Sequence, residues 1–346
     1  ASGKAARPQI GQLWRDDVRR LILSELPSDE VRRLSELPAP ASPAYHRAVS
    51  AALNDLSQRV VPFVVEELGL GKLIYAGGDD VLAMVTARDL LEVMTMLRAS
   101  YSGLAVDVAR LFPKREHASK RIKVGGGHVQ LDGHLFRAMG WRATASMGAV
   151  VAHHTTPLGA VLRELRAAEQ RAKSCGRDAF SIALMKRGGG TTQLTCGFGM
   201  LAHVDAATVQ TADDTPLGVL RALRDYLEQS RRAAYHASQW LPGLPASSEG
   251  LDRERYQKML AQNLAWQMNR QKSPTSDLTA ADVTALAARV TDLALAEVLR
   301  REGLSGTAAQ TVSATELIGH MLGHMEFLAR PERRREGSTG RPAAAE

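Results

Sequence analysis

The sequence predicts an α+β chain in which a segment of mixed helices and strands is followed by an all-helical segment. Strand-like apolar runs occur only before about residue 200, and four amphipathic helical patterns follow after about residue 205. The 346 residues suit two domains, and 45% hydrophobic with 23% charged residues is ordinary for a folded chain. We therefore expect one domain at 43–200 and a helical domain at 205–330.

The two ends of the chain lack the pattern of a hydrophobic core. Prolines at positions 27, 38, 40 and 43 interrupt the first stretch, so we expect residues 1–42 to form a linker or a surface insertion. The last stretch, 331–346, is rich in Arg, Glu, Gly and Pro and is predicted to be disordered.

A helix, a tight hairpin and a second helix are predicted in that order from residue 43. Pro43 is typical of a helix start, apolar residues recur at helical spacing as far as Leu68, and Pro62 predicts a kink. Two short apolar runs then flank the four residues at 77–80, Gly-Gly-Asp-Asp, which predicts a β-hairpin. The pattern at 87–100 predicts the second helix.

Residues 103–140 are predicted to form a long loop that carries a basic cluster. The cluster consists of Lys114, Arg115, Lys120, Arg121 and Lys123. A triple glycine at 125–127 and His128 follow it. Contact with RNA or phosphate and a simple solvated loop are both compatible with this composition.

A strand, a helix and a further strand are predicted from residue 141, and only helices after them. Small and apolar residues between Trp141 and His153 are typical of a buried strand, Pro157 begins a helix, and residues 178–186 favour another strand. The later helical patterns are Pro216–Arg232, Leu251–Gln271, Ala280–Glu302 and Ala314–Ala329.

Charge, apolar runs and cysteines exclude several classes of protein. The 44 Lys and Arg against 37 Asp and Glu give a net charge of +7, which permits a nucleic-acid or nucleotide partner without requiring one. The longest apolar run, Val60–Val65, is far shorter than the ~20 residues that span a bilayer, and no signal segment opens the sequence. Because Cys175 and Cys196 are too few for a disulfide framework, we expect reduced thiols and a cytoplasmic chain. Because no apolar run is long enough to span a bilayer, we also expect no membrane partner.

The Gly-Gly-Asp-Asp turn is the strongest candidate for chemistry. Two carboxylates about 4 Å apart repel by roughly 4 kcal/mol at moderate dielectric, and a divalent cation offsets that repulsion. Carboxylate oxygens suit Mg²⁺ or Mn²⁺, which phosphoryl-transfer enzymes use. A polar turn without any ligand explains the same residues, so the order of elements decides. That order is typical of the palm of nucleotide cyclases and polymerases.

The hairpin and the later α/β segment resemble a known family. Residues 73–85, LIYAGGDDVLAMV, are similar to the catalytic hairpin of the large polymerase-like subunit of type III CRISPR effector complexes, in particular of type III-B. Residues 143–173 and 177–187 resemble the second palm domain of that subunit, and the helical half is similar in position to its C-terminal helical domain. The resemblance implies a ferredoxin-like, nucleotide-cyclase palm followed by a helical domain.

The resemblance also implies an activity, namely metal-dependent synthesis of cyclic oligoadenylates from ATP when the complex holds a target RNA. Asp79 and Asp80 would be the catalytic residues and would bind Mg²⁺ or Mn²⁺. The nucleotide-binding residues would be Gly77, Gly78, Ser146 and Lys173. The implied partners are the other effector subunits, the guide RNA, the target RNA and ATP.

Two features of the family are missing from the sequence. We find no Asp-Gly-Asp strand motif ahead of the first palm helix, where the family has another metal carboxylate, and no His-Asp dipeptide of a nuclease domain. We therefore expect a palm that is incomplete at its first strand. The chain would be part of a longer subunit or one half of a split subunit, and alone it would be a weak or inactive enzyme.

Two other functions stay open at this point. One is a scaffold that docks small helical subunits and the guide–target duplex through its helical half, with the aspartates as bystanders. The other is a GGDEF-type cyclic dinucleotide synthase. The Ala-Lys-x-x-Gly-Arg pattern at 172–177 favours it, whereas Asp80 in place of Glu disfavours it.

Overall fold

The computed structural model describes residues 21–22, 24–25, 28–37, 42–199, 215–246, 252–304 and 312–330. The chain divides into two compact units, Ala1–Ala51 and Ala52–Glu346. The predicted disordered tail at 331–346 lies outside the described residues. Within the described ranges, none of the helices has both the length and the apolar character that crossing a membrane requires.

Helix α1 covers Ser28–Glu36, inside the stretch that the sequence predicts to be a linker or insertion. The flanking prolines at 27 and 38 in the sequence do not prevent this helix. Proline interrupts a helix when it stands in the interior, whereas positions outside the two ends tolerate it.

Helix α2 begins at Pro43, as predicted, and covers Pro43–Asp55. Two π-helical segments, Leu56–Val60 and Phe63–Leu68, continue it to a cap at Gly69. The predicted irregularity at Pro62 takes the form of these wider turns, because proline has no N–H for the regular helical hydrogen bond.

The predicted hairpin is present and forms a two-stranded antiparallel sheet of its own. Its strands are β1 (Lys72–Gly77) and β2 (Asp80–Met84). The register pairs Gly77 with Asp80 and contains an irregularity between Leu73 and Tyr75. Helix α3, Leu90–Ser102, follows, and most of its residues are buried.

A three-stranded antiparallel sheet occupies part of the stretch predicted to be a long loop. Its elements are the short helices α4 (Val108–Leu111) and α5 (Glu116–Arg121), then β3 (Ile122–Gly125), β4 (His128–Leu131) and β5 (His134–Arg137). The loop prediction was wrong because the glycines close two tight turns. Both turns have two central residues with positive φ, which is typical of type I′ turns: Gly126-Gly127 and Asp132-Gly133.

A second α/β unit follows. It contains β6 (Met147–Val151), α6 (Leu158–Ser174), β7 (Ala179–Met185) and β8 (Thr191–Gly197) in the strand order β6-β7-β8. Strands β6 and β7 are parallel, as a helical crossover allows, and β8 is antiparallel to β7. A Cβ at Gly148 would stand 2.5 Å from the backbone nitrogen of Glu169, so glycine lets α6 pack directly on β6. The sequence does not predict β8.

After residue 215, the described part of the chain contains helices and their connecting segments but no strand. The helices are α7 (Pro216–Gln229), α8 (Arg232–Trp240), α9 (Arg253–Arg270), α10 (Ala280–Glu302) and α11 (Ala314–Leu328). Four of them match the predicted patterns to within a few residues, and α8 is additional. One buried apolar cluster extends from Leu56 to Ala329 and so joins the strands to these helices. The predicted α+β class with a helical second half is confirmed.

Candidate functional site

The Gly-Gly-Asp-Asp turn places two central residues, Gly78 and Asp79, between the paired Gly77 and Asp80. Gly78 has a φ of +62°, and no positive φ occurs at Asp79. Positive φ at the first central position alone is typical of a type II′ turn, which glycine adopts without steric cost. Apart from Gly77 and Asp79, no residue has an atom within 4 Å of the position that a Cβ on Gly78 would take, so this side of the turn is open.

Both carboxylates at the turn are exposed, and two phenols lie near the turn. Asp79 lies near Tyr101 of α3: burial and the Asp79 charge raise the pKa of Tyr101, whereas Arg98 lowers it. The Tyr101 phenol therefore stays protonated at neutral pH and can donate a hydrogen bond. The Tyr75 hydroxyl lies over Gly77, where a Cβ would collide with it.

Arg98 connects α3 with the second α/β unit. Its side chain is fully buried, and its Nε donates to Oδ1 of Asp178 at 2.8 Å. Its Nη1 donates to Oγ of Ser102, and that hydroxyl donates to the carbonyl of Ala143 at 2.5 Å. Asp178 directly precedes β7, and Ala143 lies shortly before β6. The C-terminal half of α3 is therefore fixed against the amino ends of both parallel strands.

Ser146 and Lys173 lie at the same end of the β6–β7 pair. Ser146 directly precedes β6, and Lys173 lies in the last turn of α6, which leads into β7. Because β6 and β7 are parallel, the amino ends of both strands lie at the same end of the sheet. Arg98 of α3 contacts this end of the sheet through Asp178, and Tyr101 of α3 lies near Asp79 of the turn. Helix α3 therefore connects the turn with the end of the sheet at which Ser146 and Lys173 lie.

The hairpin and β6, which Ser146 directly precedes, do not pair with each other. Among the described residues the two belong to separate sheets, and β6 is an edge strand. This arrangement leaves unpaired backbone groups on one side of β6 and on the hairpin. It agrees with the expectation of a palm that is incomplete at one strand.

The side chain of Lys173 forms an ion pair within its own helix. Its Nζ lies 2.5 Å from Oε1 of Glu169, one helical turn back, and both side chains are almost half exposed. An exposed pair at this spacing stabilises a helix by only about 0.3–0.5 kcal/mol. A triphosphate can therefore replace Glu169 as the partner of Lys173 at little cost.

The turn presents two carboxylates, and no other described residue completes a set of three metal ligands with them. No group of three or more His, Cys, Asp or Glu suited to a metal ion occurs within the described residues. Mg²⁺ often takes only one or two carboxylates and completes its shell with water and substrate phosphates. Asp79 and Asp80 therefore fit an ion that is shared with a bound nucleotide.

Comparison with known proteins identifies the α/β part of the chain. Residues 22–181 match the family model described as Cas10/Cmr2, second palm domain. This part of the chain is therefore similar to a Cas10/Cmr2 second palm domain. It is also 30% identical over 186 residues, 50% of this chain, to the protein named CRISPR system Cmr subunit Cmr2 from Pyrococcus furiosus. The predicted resemblance to the large subunit of type III CRISPR effector complexes is confirmed.

The matches are partial in both directions. The chain covers 18% of the length of the Pyrococcus Cmr2 protein. The Cas10/Cmr2 match begins at residue 22, within the predicted linker, and ends at residue 181, so it leaves the helical half outside. The domain boundaries at 42, 200 and 330 therefore stay predictions.

The sequence did not single out the residues that connect the site. Arg98, Tyr101 and Ser102 stand at positions i, i+3 and i+4 of a helix that is otherwise largely apolar and buried. Polar residues at this spacing share one helix face. This spacing could have identified α3 as the connection between the turn and the amino ends of β6 and β7.

Proposed function

We propose that this chain is the second-palm and helical part of the large subunit of a type III CRISPR effector complex, and that its palm forms cyclic oligoadenylates from ATP. The observation that carries the proposal is the exposed pair Asp79 and Asp80 on a two-residue turn of a Cas10/Cmr2 second palm domain. The partners would be other effector subunits, guide RNA and target RNA.

The proposed reaction joins the 3′ oxygen of one ATP to the α-phosphorus of another. The bond between the α-phosphorus and the bridging oxygen breaks, pyrophosphate leaves, and the hydroxyl proton passes to water. A divalent cation bound by Asp79 and Asp80 would neutralise charge on the phosphates. Catalysis then depends mainly on positioning and charge stabilisation, which contribute most in reactions of this kind.

The remaining side chains have proposed roles in binding. Gly78 would let the triphosphate approach the backbone of the turn, because the space beside it is open and a side chain there would be strained. Gly77 would do the same only after the Tyr75 hydroxyl, which lies over it, moves away. Lys173 would exchange Glu169 for the triphosphate, and Ser146 would contact the ribose or the base from the β6 edge. The protonated Tyr101 can donate to a phosphate or a ribose oxygen next to Asp79.

The test compares the full chain with the variant Asp79→Asn and Asp80→Asn, which removes both charges and keeps the shapes. Products from ATP and Mn²⁺ are separated by chromatography and identified by mass. We expect weak oligoadenylate formation that falls at least about 100-fold in the variant. The control, Asp252→Asn with Asp277→Asn, changes two exposed aspartates elsewhere and should retain the activity. Equal product from both variants would exclude the turn as the site.

Two further outcomes of the same assay separate the other hypotheses. A cyclic dinucleotide formed from GTP, with no product from ATP, would favour the GGDEF-type synthase. Strong turnover by the isolated chain would contradict the expectation of an incomplete site.

An assembly role is the second candidate, and exposed aromatic side chains on the helical half favour it. Tyr235 on α8 is 64% exposed and Trp266 on α9 is 56% exposed. Rings of this size on a protein surface are often used in protein–protein contacts. Reconstitution with the other effector subunits tests it: Asp79→Ala with Asp80→Ala should abolish product and leave assembly intact if the chain is an enzyme, whereas lost assembly would favour the scaffold.

A further inference from the structure

The outer face of the β3–β4–β5 sheet is polar and basic. Two neighbouring rows of residues across the strands lie on it: Lys123, Gln130 and Leu135, then Gly125, His128 and Arg137. Side chains two positions apart on a strand share a face, so these rows form one surface. The alternate residues point to the opposite side and pack against the core; they are Val124, Val129 and Phe136.

The positive charge of this region is not balanced locally. Between residues 114 and 137 there are six Lys and Arg and two Asp and Glu. Both acids are already in ion pairs, Glu116 with Lys120 at 2.6 Å and Asp132 with Arg121 at 2.7 Å. Lys123 and Arg137, in contrast, form no ion pair with any described residue.

A groove of about 260 Å³ opens on the same face. It is lined by Lys120, Arg121, Lys123, Gln130, Asp132 and Gly133. The carboxylate of Asp132 does not make the groove acidic, because the guanidinium of Arg121 donates two hydrogen bonds to it, at 2.7 and 2.9 Å. Among the described residues Lys120 is paired with the exposed Glu116 alone, and such a pair is weak enough for an anion to replace it.

The composition of the face indicates what kind of anion it binds. The two rows contain Lys, Arg, His and Gln, which donate hydrogen bonds to phosphate oxygens, and they contain no Phe, Tyr or Trp on which a base could stack. Only Leu135 is a large apolar residue there, which is too little for insertion into a membrane. The sheet is two strand spacings wide, roughly 10 Å, so one nucleic-acid strand can lie across it.

We propose that the outer face of the β3–β4–β5 sheet binds the phosphate backbone of RNA without reading its sequence, with Lys123 and Arg137 as the principal contacts. This surface does not include the Gly-Gly-Asp-Asp turn. Binding of RNA here is therefore independent of the nucleotide chemistry proposed above, and either proposal can fail alone.

The test measures binding of a fluorescent single-stranded RNA of about 20 nucleotides to the full chain by anisotropy. The variant Lys123→Ala with Arg137→Ala should bind at least about 10-fold more weakly at low salt. Between about 50 and 200 mM salt, the slope of log affinity against log salt should fall by about 0.7 for each lost phosphate contact. Asp79→Asn with Asp80→Asn should bind RNA at least as well as the unchanged chain.

A matched control removes two cations from another surface. Arg232→Ala with Lys258→Ala alters exposed residues on the helical half and should leave RNA affinity within about twofold. Equal weakening by both pairs would overturn the proposal, because the attraction would then be a property of the net charge. Absence of RNA binding, equally tight binding to anionic lipid vesicles, or a preference above about 10-fold between poly(U) and poly(A) would overturn it as well. Thermal melting curves that agree among the variants exclude misfolding as the cause.

Discussion

The hairpin and the contact of α10 with the β6–β8 sheet use charge in opposite ways. Asp79 and Asp80 are exposed on the turn and form no ion pair with any described residue. Glu297 of α10, in contrast, is 3% exposed and accepts hydrogen bonds from Arg300, Arg301 and the amide of Gly197. The fold explains the buried carboxylate completely, whereas it gives the two at the turn no ion-pair partner among the described residues, and a bound cation is what we propose for them.

The contacts around Glu297, which we call the α10 junction, attach the helical half to the sheet. Its members are Glu297, Arg300, Arg301, Cys175 and Gly197. Burial alone would raise the pKa of Glu297, but the hydrogen bonds from the two arginines and the Gly197 amide outweigh it and lower the pKa. The arginines also donate 2.5 Å hydrogen bonds to the carbonyls of Cys175 and Thr195, so the junction connects α10 with the end of α6 and with β8.

The largest effect is expected at the α10 junction. Glu297→Ala leaves two guanidinium groups without their carboxylate, and breaking a buried pair in this way costs about 3–5 kcal/mol of unfolding free energy. Urea unfolding followed by circular dichroism measures the loss. Glu302→Ala on the same helix changes an exposed residue and should cost less than about 0.5 kcal/mol. Similar losses in both variants would show that the junction is not a centre of stability.

Lowering the pH into the acid range should reduce the stability that the α10 junction contributes, whereas neutral pH should leave it intact. The pKa of Glu297 is lower in the folded chain than its ordinary value of 4.5. Its contribution is therefore fully present above about pH 4.5 and is lost as the pH falls through the lower, folded pKa. We expect the stability difference between the unchanged chain and Glu297→Gln to shrink over this acid range in a pH series of urea unfolding. A difference that stays constant to the acid limit would contradict the assignment.

The smallest effect is expected at the hairpin turn. Gly78→Ala places a Cβ at a positive φ in otherwise open space, so it should cost only the strain of a left-handed residue, about 1–2 kcal/mol. Gly188→Ala is the matched control, because that glycine is equally open and has no positive φ. It should leave the melting temperature unchanged. A larger loss from Gly78→Ala than from Glu297→Ala would reverse the comparison between the two regions.

Local patterns in the sequence were sufficient to predict the hairpin and most of the helices. The turn at 77–80 and helix α10 are specified by residues close to one another in the chain, and both lie where they were predicted. The β3–β4–β5 sheet was missed although Asp132-Gly133 is a strong hairpin signal, because glycine-rich sequence was taken to indicate a loop. The stretch 122–137 does alternate between core-facing and outward-facing residues, as strands require.

The connections of the site could not be predicted from the sequence, because they join distant residues. In the sequence, Glu297 looks like an ordinary helix residue followed by two arginines. Only the fold shows that it faces the amide of Gly197, which lies 100 positions earlier. The same is true of Tyr101, whose position beside Asp79 depends on how α3 returns past the hairpin.

The ion pair of Arg98 with Asp178 also has a consequence for the order of events during synthesis. The two residues are 80 positions apart, so the carboxylate leaves the ribosome well after the arginine. Until then, native packing of α3 would bury a guanidinium without its counter-charge, at a cost of several kcal/mol. The nascent chain therefore cannot complete the packing of α3, or the surroundings of the turn, before the segment that contains Asp178 has emerged.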